Sequence, residues 1–267
     1  MDPDFPYLDE HQRVEFPFDN KSPGDEPLAY GGNLSPGMLL SAYEQGFFPW
    51  FNPGEDIYWW NPDPRFVLFP EKLHIPKRFY RSVKKYNFTY TMDTAFSRVI
   101  EACSVVPRFD QDGTWLTQDM KDGYNELHRL GYAHSVEAWA PEDLPEEIYY
   151  KKIGGEAVSD AEEQPGEGTP PGRKLVGGLY GISLGTTFFG ESMFSLIPGG
   201  SRGAFIKLCQ YLNEGGFSMI DCQMETEHLV ALGGENIPRK SYMNLLKRSL
   251  KEDTLKGSWS RIFNFNI

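Results

Sequence analysis

The sequence predicts an α/β (α+β) protein: a mixed sheet flanked by helices, with a small irregular N-terminal unit. Three observations lead there. From Phe66 onward, segments of helical periodicity alternate with short apolar runs of strand length. Residues 175–184 and 186–194 are two such runs joined at Gly185, the pattern of a hairpin. The first 62 residues differ from the rest in being rich in Pro, Gly and aromatic side chains. The boundaries that follow are 1–62 for the small unit and 63–267 for the main domain.

Each element has its own signal. Residues 35–43 read as a capped helix, with Ser35 as N-cap, Pro36 at the first helical position and Gly46 as the stop. Pro and Trp are too dense over 47–51 and 59–65 to suit a regular sheet. Asp93 or Thr94 caps a helix whose inner face carries Phe96, Val99, Ile100 and Cys103. Thr117 caps another, with Met120, Tyr124 and Leu127 inward and Gly131 as its end. Residues 134–140 read as a strand. After the hairpin, a helix from about Ser201 turns Phe205, Leu208, Cys209 and Leu212 to one face and stops at Gly215 and Gly216. Residues 217–223 read as a strand, 225–232 as a short helix and 241–251 as a basic helix. Residues 141–173 are dominated by Pro, Gly, Glu and Asp. Such a composition cannot offset its own ordering entropy, so an acidic, mobile insertion between two strands is expected.

Composition narrows the class. A chain of 267 residues can bury a sizeable core without staples. Its three cysteines, Cys103, Cys209 and Cys222, are odd in number and lack CxxC spacing. That favours reduced thiols over disulfides or zinc. The histidines have no ligand spacing, so no metal is expected. The acidic start lacks the features of a signal peptide, and no apolar stretch approaches the ~20 residues of a membrane span. A cytoplasmic protein without a membrane partner is expected. The net charge of -12 argues against broad nucleic-acid binding. Two basic clusters qualify that: Lys77, Arg78, Arg81, Lys84 and Lys85, then Arg239, Lys240, Lys247, Arg248 and Lys251. They leave a local phosphate-binding surface open.

Polar residues set into apolar strands mark the candidate site. Glu191 lies within residues 188–195, and Asp221 and Gln223 within 219–223. Burying them unpartnered costs several kcal/mol, so they are either satisfied structurally or put to use. Asp221 and Gln223 are two apart, which on a strand places both on one face.

The order of elements resembles that of GNAT-class acyltransferases. That likeness implies a sheet that splays, with Glu191 and Asp221 on the strands flanking the cleft. Residues 196–202 contain Gly199 and Gly200 but not the spacing of the loop that holds coenzyme A pyrophosphate, so a coenzyme A donor is disfavoured.

A closer resemblance rests on ten runs in order. They include Tyr30-Gly-Gly-Asn-Leu-Ser-Pro, Gln45-Gly-Phe-Phe-Pro-Trp-Phe, Trp59-Trp-Asn-Pro-Asp-Pro-Arg, Gly113-Thr-Trp-Leu-Thr, Tyr132-Ala-His-Ser-Val-Glu-Ala-Trp, Gly190-Glu-Ser-Met-Phe-Ser and Ile220-Asp-Cys-Gln. The chain resembles the leucyl/phenylalanyl-tRNA–protein transferases. The resemblance implies transfer of leucine or phenylalanine from charged tRNA to the α-amino group of proteins beginning with Arg or Lys, marking them for N-end-rule degradation. It implies no cofactor, a cytoplasmic setting and a monomer. It assigns an apolar aminoacyl pocket to Leu179, Phe188, Phe189, Gly190, Met193 and Ile220, with Ser195 beside it. Leu179 departs from the Met associated with that position, a volume-conserving change. Trp50, Trp115, Tyr43 and Tyr124 match positions linked to the tRNA 3′ end, where rings suit a terminal adenine. Asp221 and Gln223 would act on the acceptor amine, with Gln223 orienting it and Asp221 fixing Gln223. Glu191 would hold the donor's α-ammonium or organise the pocket.

Overall fold

The computed structural model describes residues 5–17, 22–106, 116–148 and 169–262. In the N-terminal unit, helix α1 (Pro36–Glu44) is followed by strands that build a small antiparallel sheet. Its members are β1 (Ala29–Tyr30), β2 (Phe48–Pro49) and β3 (Tyr58–Trp60), in the order β1-β3-β2. This corrects the expectation that Pro and Trp exclude a sheet here. The strands are only two or three residues long, and Pro49 ends an edge strand, where a missing N–H is tolerated. Ser35 precedes α1, but its hydroxyl does not cap it. It accepts from the Leu8 N–H and donates to Asn33 Oδ1, tying the chain start to the helix.

The main sheet has seven strands: β4 (Arg65–Leu68), β5 (Thr89–Met92), β6 (Ala133–Pro141), β7 (Arg173–Leu184), β8 (Thr187–Ser195), β9 (Met219–Asp221) and β10 (Glu235–Ile237). Their order is β10-β4-β9-β8-β7-β6-β5. It is a mixed sheet, because β8 and β9 are parallel and the other neighbours antiparallel. The parallel pair is linked by α5 (Gly200–Glu214), as such a crossover requires. The remaining helices are α2 (Lys77–Tyr86), α3 (Phe96–Val105), α4 (Gln118–Arg129), α6 (Glu227–Val230), α7 (Arg239–Ser249) and α8 (Trp259–Ile262).

Side-chain alternation divides the buried residues between the two faces of the sheet. Tyr180, Ile182 and Phe189 pack with α1, α3 and α4. Leu179, Phe188 and Ile220 pack with α5 and Trp259 on the opposite face. Thr117 caps α4 as expected, its hydroxyl accepting from Met120 N. Neither Asp93 nor Thr94 caps α3, where Ala95 holds the cap position. The Asp93 carboxylate is instead committed to His134 Nδ1 at 2.9 Å and to the N–H groups of Ser135 and Trp259. Buried Glu137 reaches the Thr94 hydroxyl in its place. β6 and β7 bracket the acidic insertion, whose residues 149–168 lie outside the described residues.

Candidate active site

The site forms where β8 and β9 part. Their ladder runs through Thr187↔Met219 and Phe188↔Ile220 to Phe189↔Asp221 and ends there. On its other side β8 stays paired with β7 as far as Ser195. Within that pairing Tyr180 faces Ser192 and Gly181 faces Gly190, so Glu191 is an extra residue with no partner opposite. A bulge re-aims its side chain, a device common beside active sites. The Glu191 carboxylate turns to the face held by α1 and α4, accepting from Tyr124 Oη at 2.9 Å. Tyr43 and Tyr124 hydroxyls share a 2.8 Å hydrogen bond.

Asp221 sits on the other lip and is wholly buried. Arg65, also wholly buried, closes on it side-on: Nε donates to Oδ1 at 2.8 Å and Nη2 to Oδ2 at 2.6 Å. Tyr242 Oη donates to Oδ2 at 2.7 Å, and the Gln223 backbone N–H donates to Oδ1 at 3.0 Å. The guanidinium lies over the rings of Tyr242 and Phe48, at 4.5 and 4.8 Å from their centroids. Burial would lower the Arg65 pKa, but the Asp221 charge outweighs it and holds the guanidinium protonated. Four hydrogen bonds thus occupy both carboxylate oxygens.

Gln223 does not lie on a strand beside Asp221 as expected. β9 ends at Asp221, and Gln223 takes a left-handed backbone with φ of 57°. Its N–H turns back to Asp221, while its side-chain Nε2 donates to Glu191 Oε1 at 3.1 Å. Gln223 therefore bridges the lips of the cleft. With Nε2 committed to Glu191, its Oε1 is the amide atom left to accept.

Burial pushes the Glu191 pKa up to about 7, with the hydroxyls of Tyr43 and Tyr124 holding it from going higher. The side chain keeps some exposure although protein is packed around it. A carboxylate with that pKa at a cleft is poised for proton transfer near neutral pH.

The other expected site residues spread around this centre. Leu179, Phe188 and Ile220 are buried on one face of the sheet, whereas Phe189 is buried on the other against Tyr43. Gly190 and Met193 remain partly exposed at the cleft. The Ser195 hydroxyl serves the fold: it donates to Ile197 O and accepts from Ser201 N at the start of α5. Tyr43 and Tyr124 are fully buried, so they shape the Glu191 environment rather than offering a ring face to a base. Trp50 is half-buried beside Trp60, its carbonyl accepting from Trp60 Nε1. Trp115 lies outside the described residues. In the second basic cluster Arg239 is buried and donates to Asn61 O, leaving Lys240, Lys247, Arg248 and Lys251 on the surface. Among the described residues no His, Cys, Asp and Glu group could hold a metal ion, and no helix is long and apolar enough to cross a membrane.

Arg65 and Tyr242 escaped the sequence reading. Arg65 opens the apolar run Arg65-Phe-Val-Leu, and an Arg on a core strand demands a buried acid. That signal points to Asp221 only once β4 and β9 are known to be neighbours, with Val67 opposite Asp221.

Comparison with known proteins gives this geometry its context. The family model for the leucyl/phenylalanyl-tRNA protein transferase matches residues 67–161 and 170–247, and that for its N-terminal domain matches residues 32–63. The curated leucyl/phenylalanyl-tRNA–protein transferase of Myxococcus xanthus is 43% identical over 252 residues, covering 94% of each chain. That of Saccharophagus degradans is 43% identical over 268 residues, covering 98% of this chain and 96% of the relative. The chain belongs to the leucyl/phenylalanyl-tRNA–protein transferase family. It is an aminoacyltransferase, with a charged tRNA as donor and a protein as acceptor. The relative from Syntrophus aciditrophicus is 42% identical over 247 residues, at 92% and 90% coverage. All three alignments span nearly the whole of both chains, so family membership extends across the N-terminal unit and the sheet alike.

Proposed function

We propose that the protein transfers leucine or phenylalanine from tRNA to the N-terminal α-amino group of proteins beginning with Arg or Lys. Such proteins become substrates of N-end-rule degradation, in a cytoplasmic setting. The observation that carries the chemistry is the bridge from Gln223 to Glu191 across the parted strands. The splay of β8 from β9 also supports a GNAT-type sheet as its frame.

The donor is an activated ester, so orientation and proton management are what the protein must supply. Gln223 Oε1 accepts an N–H of the incoming amine and aims its lone pair at the ester carbonyl. As the N–C bond forms, the nitrogen gains positive charge and its remaining proton becomes acidic. Glu191, in its ionised form, takes that proton. The ester C–O bond breaks, and the ribose oxygen leaves with a proton, so one N–H is exchanged for one O–H overall. Asp221 is a positioning residue: with both oxygens occupied and no exposure, it acts by fixing the Gln223 backbone. Leu179, Phe188, Phe189, Gly190, Met193 and Ile220 select an apolar aminoacyl group, discriminating weakly among similar side chains. Trp50 and Trp115 meet the terminal adenosine, and the exposed lysines and arginines of the basic clusters take acceptor-stem phosphates.

The test is transfer of radiolabelled leucine and phenylalanine from charged tRNA to matched peptides starting with Arg, Lys or Ala. Transfer to the Arg and Lys peptides alone is expected. Equal transfer to the Ala peptide would sink the acceptor rule.

A further inference from the structure

The parting of β8 from β9 leaves an edge inside the molecule. β9 pairs with β8 only as far as Phe189, yet β8 continues to Ser195 with its other side on β7. From Gly190 onward β9 offers the strand no ladder partner. Gly190, Glu191 and Met193 keep partial exposure along this stretch, so the edge is reachable. An unpaired strand edge is a template for an added strand, and extended peptides are bound this way.

The edge has a polarity that fits one reactant. β9 runs parallel to β8 and ends at Asp221, with Gln223 just beyond. A polypeptide continuing the line of β9, parallel to β8, would place its first residue at Gln223 and Glu191. Its later residues would pass Gly190 to Ser195. The free amine would then stand where the reaction needs it. We propose that the acceptor protein docks by strand addition, its N-terminal segment taking the ladder position that β9 vacates beside β8. This deepens, and rests on, the reading of the site as one that acylates a protein N-terminus.

Gly190 fits such a role. A Cβ there would meet only Asp221 O, at 3.7 Å, an ordinary contact. Its own packing does not require glycine, and the bare backbone keeps the mouth of the edge open. Main-chain pairing also makes recognition beyond the first residue indifferent to side chains, as suits an enzyme whose substrates are many proteins. About 3.3 Å of rise per residue lets the stretch from Gly190 to Ser195 pair with four or five acceptor residues.

The experiment uses the intact protein, charged tRNA and a peptide beginning with Arg. Peptides carry one ester in place of one amide at residue 2, 3, 4 or 5, which removes a single N–H without adding bulk. Strand addition predicts an alternating pattern: successive residues point their N–H groups to opposite sides, so kcat/KM for the acceptor falls about 3- to 10-fold at every second position. KM for the charged tRNA stays unchanged. Gly190→Val should add a rise in acceptor KM. Uniform tolerance of the esters, with the unmodified peptide fully active, overturns strand addition and leaves the transferase reading intact. No transfer to the unmodified peptide overturns both.

Discussion

Arg65 holds Asp221 by two parallel hydrogen bonds of 2.8 and 2.6 Å, with neither side chain reaching solvent. The acid that looks most catalytic in the sequence is thereby a structural anchor for the residue two positions on. A planar guanidinium supplies this fork, which a lysine does not.

Removing one member of the pair should therefore cost stability before it costs chemistry. Asp221→Ala leaves a buried guanidinium without its counter-charge, and a loss of about 3–5 kcal/mol is expected by urea denaturation. A joint Asp221→Leu and Arg65→Met replacement should recover most of that stability but not turnover, because the Gln223 backbone has lost its acceptor. Recovery of turnover with stability would show that Asp221 positions nothing.

Glu191 makes stability depend on pH in a definite direction. Its folded pKa, about 7, lies above its ordinary value of 4.5 because burial disfavours the charge. The folded state thus binds more protons between those values than the unfolded chain, and its stability declines as pH rises from about 4.5 through 7. Glu191→Gln should remove that decline, gaining about 1–3 kcal/mol on the native protein between pH 5 and pH 8. Parallel stability curves for the two proteins would contradict the burial of an ionising Glu191.

Tyr124 tunes that same acid. Its hydroxyl donates to Glu191 Oε2 and favours the ionised form. Tyr124→Phe should raise the pKa seen in the rate profile and lower activity at neutral pH, with near-normal activity regained in alkali. A profile that does not move would separate Tyr124 from the chemistry.

Trp115→Ala should act on the donor. Stacking of one base on a ring is worth roughly 1–3 kcal/mol, so KM for charged tRNA should rise about 5-fold or more while the melting temperature holds. Unchanged kinetics in a folded Trp115→Ala protein would remove this residue from the 3′-end site.

Much of the site was legible because its residues violate their surroundings. Glu191, Asp221 and Gln223 interrupt apolar runs, and the hairpin turning at Gly185 declares itself by pattern. What could not be read is what depends on register and on distant pairing. The bulge that turns Glu191 toward α4 is a one-residue mismatch between β7 and β8, invisible in either strand alone. The left-handed backbone at Gln223 breaks the two-residue alternation that placed it beside Asp221. Arg65 and Tyr242 meet Asp221 across 156 and 21 residues of chain. Asp93 was misread as a cap because its true partners, His134 and Trp259, come from elements far along the sequence.

The most direct test of the account is the single-turnover rate of transfer against pH, for the native protein and for Glu191→Gln. Two ionisations are predicted in the native profile, one near 7 from Glu191 and one near 8 from the acceptor's own amine. Glu191→Gln should lose the first, keep the second and slow by about 10²-fold. Retention of the ionisation near 7 in Glu191→Gln, at a comparable rate, would show that the proton goes elsewhere and would contradict the central claim.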